Sequence, residues 1–336
     1  MSARPALRGA ALLAAALVVT SCGSGSDSGS DSGSGSEAGG AASGSSDAFP
    51  VTVGTAFGDV TVEEEPTRVV ALGWSDAETA LALGVEPVGA SDWLAVGGDG
   101  LGDWVEQGYT EEPEMIETLE PSFEQIAALE PDLILDTRSS GTQERYDLLS
   151  QIAPTIGQPE GVGPYQTTWQ QQLELVGQAL GKTDEAADLQ DQVEQAFADA
   201  AEAHPEFDGT EVAVGAYTSE GFGAYVSGDA RVAFMEQLGF RNKQAIEDQA
   251  TENFFIPVSE EQLNLLDAEL TVVFPIFVES SEFTGNPLWQ ALPSVQDGRA
   301  VVLDDTTTLN AFSSASAPGL LYALDTVVPE FAGALS

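Results

Sequence analysis

Two glutamates occupy matching positions in two similar segments, and such a carboxylate pair could form ion pairs with a basic partner. The segments read PSFEQIAALEPDLIL and VSEEQLNLLDAELTV, which aligns Glu124 with Glu261. In each, a serine (Ser122 or Ser259) precedes a helical pattern and a glutamine follows it at the spacing of a capping box. An acid in a helix's first turn also stabilises the macrodipole. The residues alone therefore leave helix stabilisation and partner binding both open.

Aromatic and arginine side chains follow several of the predicted strands, and their types fit the binding of a bulky ligand. Ligands of open α/β sheets bind outside the carboxyl ends of the strands, where we expect these side chains to converge. The predicted ligand-binding residues are Trp74, Trp93, Arg138, Tyr217, Phe222, Tyr225, Arg231 and Phe312. Core packing is the competing explanation for the aromatic residues, especially Tyr225 and Phe277, and Arg231 could instead begin a helix that faces solvent.

The elements that position these residues alternate between strands and helices. The run Arg68–Gly73 is typical of a buried parallel strand, and Asp76 is placed to cap the helix that follows. Strands that alternate with helices predict βαβ units, and the repeated helix-to-strand segment predicts two similar lobes. The expected fold is α/β, with two Rossmann-like lobes of mostly parallel sheet, joined by a single long helix, and a ligand cleft between the lobes.

The domain boundaries follow from composition and periodicity. We predict a lipoprotein signal peptide at residues 1–21, a lipidated cysteine with a flexible Gly/Ser linker at 22–47, an N-terminal lobe at 48–182, a connecting helix at 183–204 and a C-terminal lobe at 205–336. A continuous helix resists bending, so we expect small opening and closing motions between the lobes.

The amino terminus predicts the compartment. Arg4 and Arg8 precede an apolar run that is too short to remain as a transmembrane helix, and Val-Thr-Ser-Cys then fits a bacterial lipobox ending at Cys22. We expect a lipid-anchored protein on the extracytoplasmic face of the cell membrane. An ordinary secretory leader with an incidental cysteine is the alternative.

Composition argues against several other classes of function. The chain has 55 acidic residues against 10 Lys plus Arg, which disfavours nucleic-acid binding. Its single histidine, His204, disfavours direct capture of zinc or manganese. The sequence has no evident Ser/His/Asp set, so we predict that the protein is not an enzyme. A secreted enzyme and a surface adhesion module are the alternatives from other classes.

A resemblance to a known family makes these expectations specific. The segments PTRVVALG, AETALALGVEPVGAS, PSFEQIAALEPDLIL, IPVSEEQLNLLDAELTVVF and NPLWQALPSVQDGRAVVLDD follow one another from about residue 50 to the carboxyl terminus. In order and spacing the chain resembles the substrate-binding protein of a bacterial ferric-siderophore or cobalamin ABC importer. The resemblance implies that Glu124 and Glu261 form salt bridges with arginines of a dimeric permease that is driven by a cytoplasmic ATPase.

The same resemblance implies the kind of ligand. A monomeric binding protein would hold a ferric siderophore, with cobalamin or haem as the alternative within the family. The iron would be carried inside the ligand, so neither a cofactor nor a protein–metal bond is expected. Aromatic side chains would contact apolar faces of the chelate, and arginines would donate to hydroxamate, catecholate or carboxylate oxygens.

Overall fold

The computed structural model describes residues 48–251 and 253–336, which belong to one compact unit. The predicted signal peptide, the Cys22 lipidation site and the linker of residues 22–47 lie outside the described residues. No helix in the described part of the chain is both long and apolar enough to cross a membrane.

The first half of the described chain alternates short strands with helices. Its strands are β1 (Val51–Thr55), β2 (Gly58–Val62), β3 (Val69–Ala71), β4 (Gly89–Ser91), β5 (Glu114–Ile116), β6 (Leu133–Leu135) and β7 (Thr155–Ile156). Its helices are α1 (Asp76–Ala82), α2 (Phe123–Ala128), α3 (Gln143–Leu149) and α4 (Trp169–Ala179). The hairpin β1–β2 stands apart from the sheet that the other strands form.

The long helix α5 (Thr183–Ala203) leads to the second half. The strands there are β8 (Glu211–Thr218), β9 (Gly221–Tyr225), β10 (Arg241–Asn242), β11 (Phe255–Val258), β12 (Leu270–Pro275) and β13 (Ala300–Val302). The helices are α6 (Ala230–Gln237), α7 (Gln244–Glu247), α8 (Ser281–Thr284), α9 (Pro287–Gln290), α10 (Pro293–Gln296), α11 (Thr306–Ser314) and α12 (Ala317–Ala334). Two 3₁₀ helices cover Pro205–Phe207 and Glu260–Leu266.

The sheet of the first half is parallel, as predicted for a Rossmann-like lobe. It is five-stranded and parallel, in the order β5-β4-β3-β6-β7. The strands β3 and β6 are buried at every position, as expected for a parallel sheet covered on both faces. The strand order reverses direction between β3 and β6, and such a switch point leaves a crevice at the carboxyl ends of the two strands.

The sheet of the second half is mixed. Its path is β11-β9-β8-β12-β13, and β10 pairs with the start of β8. The strands β8, β12 and β13 are parallel, whereas β9 pairs antiparallel with both β8 and β11. Two mostly parallel sheets, each carried by one half of the chain, confirm the predicted α/β fold.

One hydrophobic cluster joins the two halves through α5. The helix buries Ala186, Val193 and Phe197, and these residues pack in a cluster that includes Leu133 of β6 and Val214 of β8. The spacing of four between Leu189, Val193 and Phe197 predicts this apolar face, although Leu189 is only partly buried. The ends of α5 coincide within a residue with the predicted bounds of the connecting helix.

The local prediction for the repeated segments was partly wrong. Ser122 does cap α2, because its hydroxyl accepts the Gln125 N–H at 3.3 Å, but the Gln125 side chain donates to Glu114 and Met115 instead of closing a capping box. In the second copy the helix is 3₁₀ and Ser259 accepts no backbone N–H. Two sequences that share a pattern therefore differ in backbone, because each helix meets a different neighbour.

Candidate ligand-binding cleft

Two loops at the switch point of the first sheet form the base of the cleft. One follows β3 and carries Trp74, and the other follows β6 and carries Arg138. The backbone N–H of Trp74 donates to the backbone carbonyl of Arg138 at 2.8 Å. A Cβ at Gly73 would lie 2.8 Å from the Arg138 backbone nitrogen, so only glycine lets the loops approach this closely. Ser75 adopts a left-handed conformation with φ 65°, which marks a strained site.

Asp76 holds these two loops together through hydrogen bonds. The prediction that it caps α1 was wrong. Its buried carboxylate accepts the N–H groups of Gly73 at 2.9 Å and Thr137 at 3.0 Å, together with the Thr137 hydroxyl. The Gln172 side chain of α4 donates to the same carboxylate at 2.6 Å. Burial raises the pKa of Asp76 to about 6, although the hydrogen bonds from Thr137 and Gln172 act in the opposite direction. The carboxylate thus ties three separate segments of the chain together.

A row of aromatic rings crosses the cleft from the first half to the second. Trp93 stacks on Trp74 with ring centroids 4.3 Å apart, and Tyr165 lies 4.4 Å beyond Trp74. Phe254 follows at 6.3 Å from Tyr165 and stacks at 6.5 Å on Tyr225 of β9. The ring planes are tilted by 31° between Trp74 and Tyr165 and by 74° between Tyr165 and Phe254. The row therefore gives the cleft an apolar floor that is not flat, and it ends at Tyr225 in the interior of the second half.

A pocket of about 490 Å³ opens beside this row, between the two halves. Its lining residues are Trp74, Asp92, Trp93, Met115, Ile116, Glu117, Thr118, Leu119 and Phe277. Phe277, which follows β12, is 85% exposed, and Leu119 on the opposite wall is 63% exposed. Core packing was therefore the wrong alternative for Phe277. Two large apolar side chains held in solvent at the mouth of a cavity are typical of a binding site.

Hydrogen bonds and an ion pair fix the walls of this pocket. The Asp92 carboxylate accepts the N–H groups of Val96 at 2.9 Å and Gly97 at 2.7 Å, which closes the loop after β4. Arg145 of α3 forms a buried ion pair with Asp136 at 2.8 Å. The same guanidinium donates to the carbonyls of residues 118 and 119 at 3.4 Å. The lining loops are therefore held in place without a ligand.

A second pocket has a volume of about 400 Å³, and some of its lining residues flank Tyr165 in the sequence. Its lining residues are Gly161, Val162, Gly163, Pro164, Gln166, Val226, Ser227, Ala250, Thr251 and Asn253. Both halves contribute to this pocket, as they do to the first.

Arg138 is not at the cleft surface, contrary to the prediction. Its side chain is 1% exposed, donates to the carbonyls of Tyr165 at 3.1 Å and Ser314 at 3.3 Å, and lies 5.6 Å from the Trp74 ring centroid. Burial lowers the pKa of Arg138 to about 10, although the nearby Asp229 acts to raise it. The guanidinium supports the aromatic floor from beneath and joins the two halves.

Arg231 is also buried and paired. It forms an ion pair with Asp229 at 2.6 Å, and its guanidinium carbon lies 4.0 Å from the Tyr225 ring centroid. It belongs to the first turn of α6, but the alternative of a solvent-facing position was wrong, because this turn packs against the second sheet. As with Arg138, a ligand could reach this guanidinium only if its protein partners moved.

Four predicted contact residues belong to the second half's interior. Tyr217 is half-buried against Phe222 and Phe283, with ring centroids 4.8 Å and 5.3 Å away. Phe222 and Tyr225 are buried. Phe312 is 1% exposed and packs 5.2 Å from Phe234. The structure places none of these four on the lining of the first pocket, so core packing explains Phe222, Tyr225 and Phe312.

Sequence reasoning missed three parts of the cleft. These are Tyr165, Phe254 and the wall formed by residues 115–119. Tyr165 stands in a Gly/Pro-rich stretch where no strand end marked it, although an aromatic residue in such a loop is itself a signal. The wall of residues 115–119 contains no aromatic or basic residue that would mark it as a binding surface.

The two repeated glutamates lie on the surface. Glu124 is exposed in the first turn of α2, and Glu261 is exposed in the first turn of the second 3₁₀ helix. Neither carboxylate takes part in a hydrogen bond or ion pair between side chains that the structure describes. Within residues 48–251 and 253–336, no group of three or more His, Cys, Asp or Glu side chains could hold a metal ion.

Comparison with known proteins places this architecture among known binding proteins. The chain is 26% identical over 279 residues to the probable siderophore-binding lipoprotein YfiY of Bacillus subtilis (strain 168), covering 79% of this chain and 83% of that protein. Its structure matches Streptococcus pneumoniae TIGR4 PiaA in complex with ferrichrome, with a TM-score of 0.72, 25% identity and coverage of 85% of this chain and 98% of PiaA.

A periplasmic solute binding protein from Mycobacterium smegmatis str. MC2 155 matches with a TM-score of 0.73 and 28% identity, covering 85% of this chain and 99% of that chain. A family model described as periplasmic binding protein matches residues 69–307, from the start of β3 into α11. The matched region contains both sheets, the connecting helix and both walls of the cleft. The chain therefore belongs to the periplasmic binding protein family.

Proposed function

We propose that this protein binds a ferric siderophore in the cleft between its two halves and delivers it to an ABC permease. The observation that carries the proposal is the aromatic-walled pocket at the carboxyl ends of the strands, in a chain that belongs to the periplasmic binding protein family. The names of YfiY and of the PiaA–ferrichrome complex support iron chelates as the ligand class.

The dimensions and chemistry of the cleft support this ligand class. Each pocket, at about 490 and 400 Å³, falls in the range of roughly 300–1,000 Å³ that is usual for small-molecule sites. Trp74, Trp93 and Phe277 offer apolar surface on the pocket lining to a chelate whose donor atoms face inward toward the iron. In this proposal the protein contributes no ligand to the metal and catalyses no reaction, and its role is capture and release.

The proposed location is the outer face of the cell membrane. Cys22 would carry the lipid anchor, and the linker of residues 22–47 would give the binding domain freedom to meet the permease. Names such as siderophore-binding lipoprotein support this arrangement.

Tryptophan fluorescence tests the proposal directly, because two of the five tryptophans line the first pocket. Titration with ferric hydroxamate, catecholate and carboxylate chelates, cobalamin and haem should give saturable quenching with a ferric siderophore. Trp74→Phe and Trp93→Phe should each reduce the quenching. Trp289→Phe, which alters a buried tryptophan of the second half, is the control. No saturable response to any ferric chelate would contradict the proposal.

Permease docking is assigned to Glu124 and Glu261, one on each half. The double variant Glu124→Ala/Glu261→Ala should retain siderophore affinity and lose iron uptake, since uptake requires an ion pair on both halves. Glu144→Ala/Glu282→Ala is the matched control, because these acids are also exposed in the first turns of short helices. Normal uptake by the Glu124/Glu261 variant, measured with radioactive iron in cells, would remove the docking assignment.

A further inference from the structure

We infer that the 490 Å³ pocket receives an alkylammonium arm of the chelate, so that the preferred ligand is a ferric siderophore with a protonated amine and not an anionic one. This inference rests on the proposed function and specifies the charge of its ligand. Carboxylates reach the surface of this pocket, whereas the nearby arginines Arg138 and Arg231 are already bonded to other groups of the protein.

The charged residues that line the first pocket are both acidic. They are Asp92 and Glu117, and the described lining of the second pocket contains no charged residue. An anionic arm entering the first pocket would therefore meet carboxylates and aromatic ring faces, both of which repel negative charge. An ammonium group would be attracted by the same surfaces.

The buried arginines do not reverse this balance. Arg231 forms an ion pair with Asp229. The Arg138 guanidinium donates to two backbone carbonyls beneath the tryptophans, and its positive charge is opposed by the nearby carboxylates of Asp229 and Asp76. Neither arginine lines either pocket. Because both guanidinium groups are already bonded to protein acceptors, their donors are not presented to a ligand in the cleft.

The two carboxylates differ in what they can offer a ligand. Both oxygens of Asp92 accept backbone N–H groups of its own loop. The Glu117 side chain is exposed at the pocket rim, and it takes no part in hydrogen bonds or ion pairs between the residues that the structure describes. Glu117 is therefore the group that would accept an ammonium N–H.

The remaining lining fits the methylene stem of such an arm. Met115, Ile116 and Leu119 provide an apolar wall directly beside Glu117, and Phe277 faces it from the other half. An amphipathic arm can bury its carbon chain along these residues while its charged end stays at the wet rim. Arg145 holds the carbonyls of residues 118 and 119, so the backbone that carries Glu117 is fixed.

The charge of the whole chain acts in the same direction. A formal net charge of −45 raises the local concentration of cationic ligands and lowers that of anionic ones, and added salt screens this effect. The pocket and the surrounding field therefore select the same sign of charge.

Three ferric trihydroxamates that differ only at the end of one arm test the inference. Ferrioxamine B carries a protonated pentylamine, its N-acetyl derivative is neutral at that position, and its N-succinyl derivative is anionic. Fluorescence or calorimetric titration should give the affinity order amine, acetyl, succinyl, with steps of about three- to tenfold. The preference for the amine should shrink as salt is added.

Glu117→Gln should weaken the amine form about three- to tenfold and leave the acetyl form unchanged. Glu120→Gln, an exposed acid outside the pocket lining, is the matched control and should preserve the amine preference. Equal or tighter binding of the acetyl form by the native protein would overturn the inference. So would a Glu117→Gln variant that weakens all three ligands equally, since that result indicates a structural role.

Failure of the inference and failure of the proposed function give different results. If no ferric chelate of any class binds, the proposed function is wrong. If another ferric chelate binds and none of the three ferrioxamine forms does, the function stands and the assignment of the amine arm is rejected.

Discussion

A few individual side chains hold the cleft together by bonding segments that are distant in sequence. Asp76 joins the loops after β3 and β6 to α4, and Gly73 lets the two loops touch. Arg138 then joins the first half to the carbonyl of Ser314 in the second. These residues bear on the cleft indirectly, through the position of Trp74, so substitutions at them should alter stability and binding together.

Gly73→Ala should destabilise the protein by about 1–3 kcal/mol, because its new methyl group would overlap the Arg138 backbone and the Asp76 carboxylate. Siderophore affinity should fall as well, since the Trp74 loop must move. Chemical denaturation measures the first effect and fluorescence titration the second. Gly108→Ala, where an added Cβ meets nothing within 4 Å, should stay within about 0.5 kcal/mol of the native protein.

The pKa of Asp76 predicts a pH effect. Burial raises this pKa to about 6 from an ordinary value of 3.8, so the folded state binds a proton more tightly than the unfolded state between these values. The stability of the native protein relative to Asp76→Asn should therefore increase as pH falls from about 6 to 4, by up to about 3 kcal/mol. Denaturation curves across this range measure the difference.

Gln172→Leu provides a comparison for that experiment. It removes a hydrogen bond that lowers the Asp76 pKa but keeps the carboxyl group, so the pH dependence should persist and move to higher pH. A constant difference between native protein and Asp76→Asn from pH 6 to 4 would contradict the prediction.

Among the secondary-structure elements, the short turn between α11 and α12 bonds the second half to the first. The Ser314 carbonyl accepts hydrogen bonds from Ser75 and Arg138, and the Ser316 hydroxyl donates to the buried Glu78 of α1. Between these two serines, Ala315 adopts a left-handed conformation with φ 56°. Hydrogen bonds within the turn, such as that from the Ser316 N–H to the Ser314 hydroxyl, and contacts with the other half therefore shape it together.

Ser316→Ala should cost about 2–3 kcal/mol of unfolding free energy. The change removes the cap of α12, where Ser316 accepts the Gly319 N–H at 3.1 Å, and it leaves the buried Glu78 carboxylate with one donor fewer. Ser122→Ala removes an exposed cap of α2 and should cost only about 0.5–1 kcal/mol. Equal losses for the two variants in denaturation experiments would show that the contact with Glu78 contributes nothing.

For the molecule as a whole, the shared core limits how far the halves can move. A 21-residue helix links them, one hydrophobic cluster extends through both, and the α11–α12 turn bonds one half to the other. A wide hinge motion would have to expose this cluster to water, whereas a small rotation would not.

Ligand binding should therefore change the radius of gyration by less than about 1 Å. Small-angle X-ray scattering of the free protein and of its complex with a ferric siderophore measures this change. The Ser316→Ala variant lacks one hydrogen bond between the halves, so its change in radius of gyration on binding is compared with that of the native protein. A change of several ångströms in the native protein would contradict the prediction of limited motion.

Sequence patterns predicted the secondary-structure elements better than they predicted which side chains reach the cleft. The run Arg68–Gly73 contains the observed strand β3, and the long helix lies within a residue of its predicted bounds, because apolar periodicity records which face of an element is buried. Trp74 and Trp93, which are predicted ligand contacts, line the first pocket because they follow the neighbouring strands β3 and β4. Phe222, Phe312 and Arg231 were assigned to the cleft by the same rule, but their side chains point into the interior.

Local patterns and composition are enough to indicate the α/β class, the two halves, the helix between them and the acidic character of the chain. Packing in three dimensions establishes which aromatic rings line the cleft, that Arg138 and Arg231 are buried, and that Glu117 lies beside an apolar wall. Those features depend on contacts between residues far apart in sequence, where one rotation of a strand or helix exchanges a buried side chain for an exposed one.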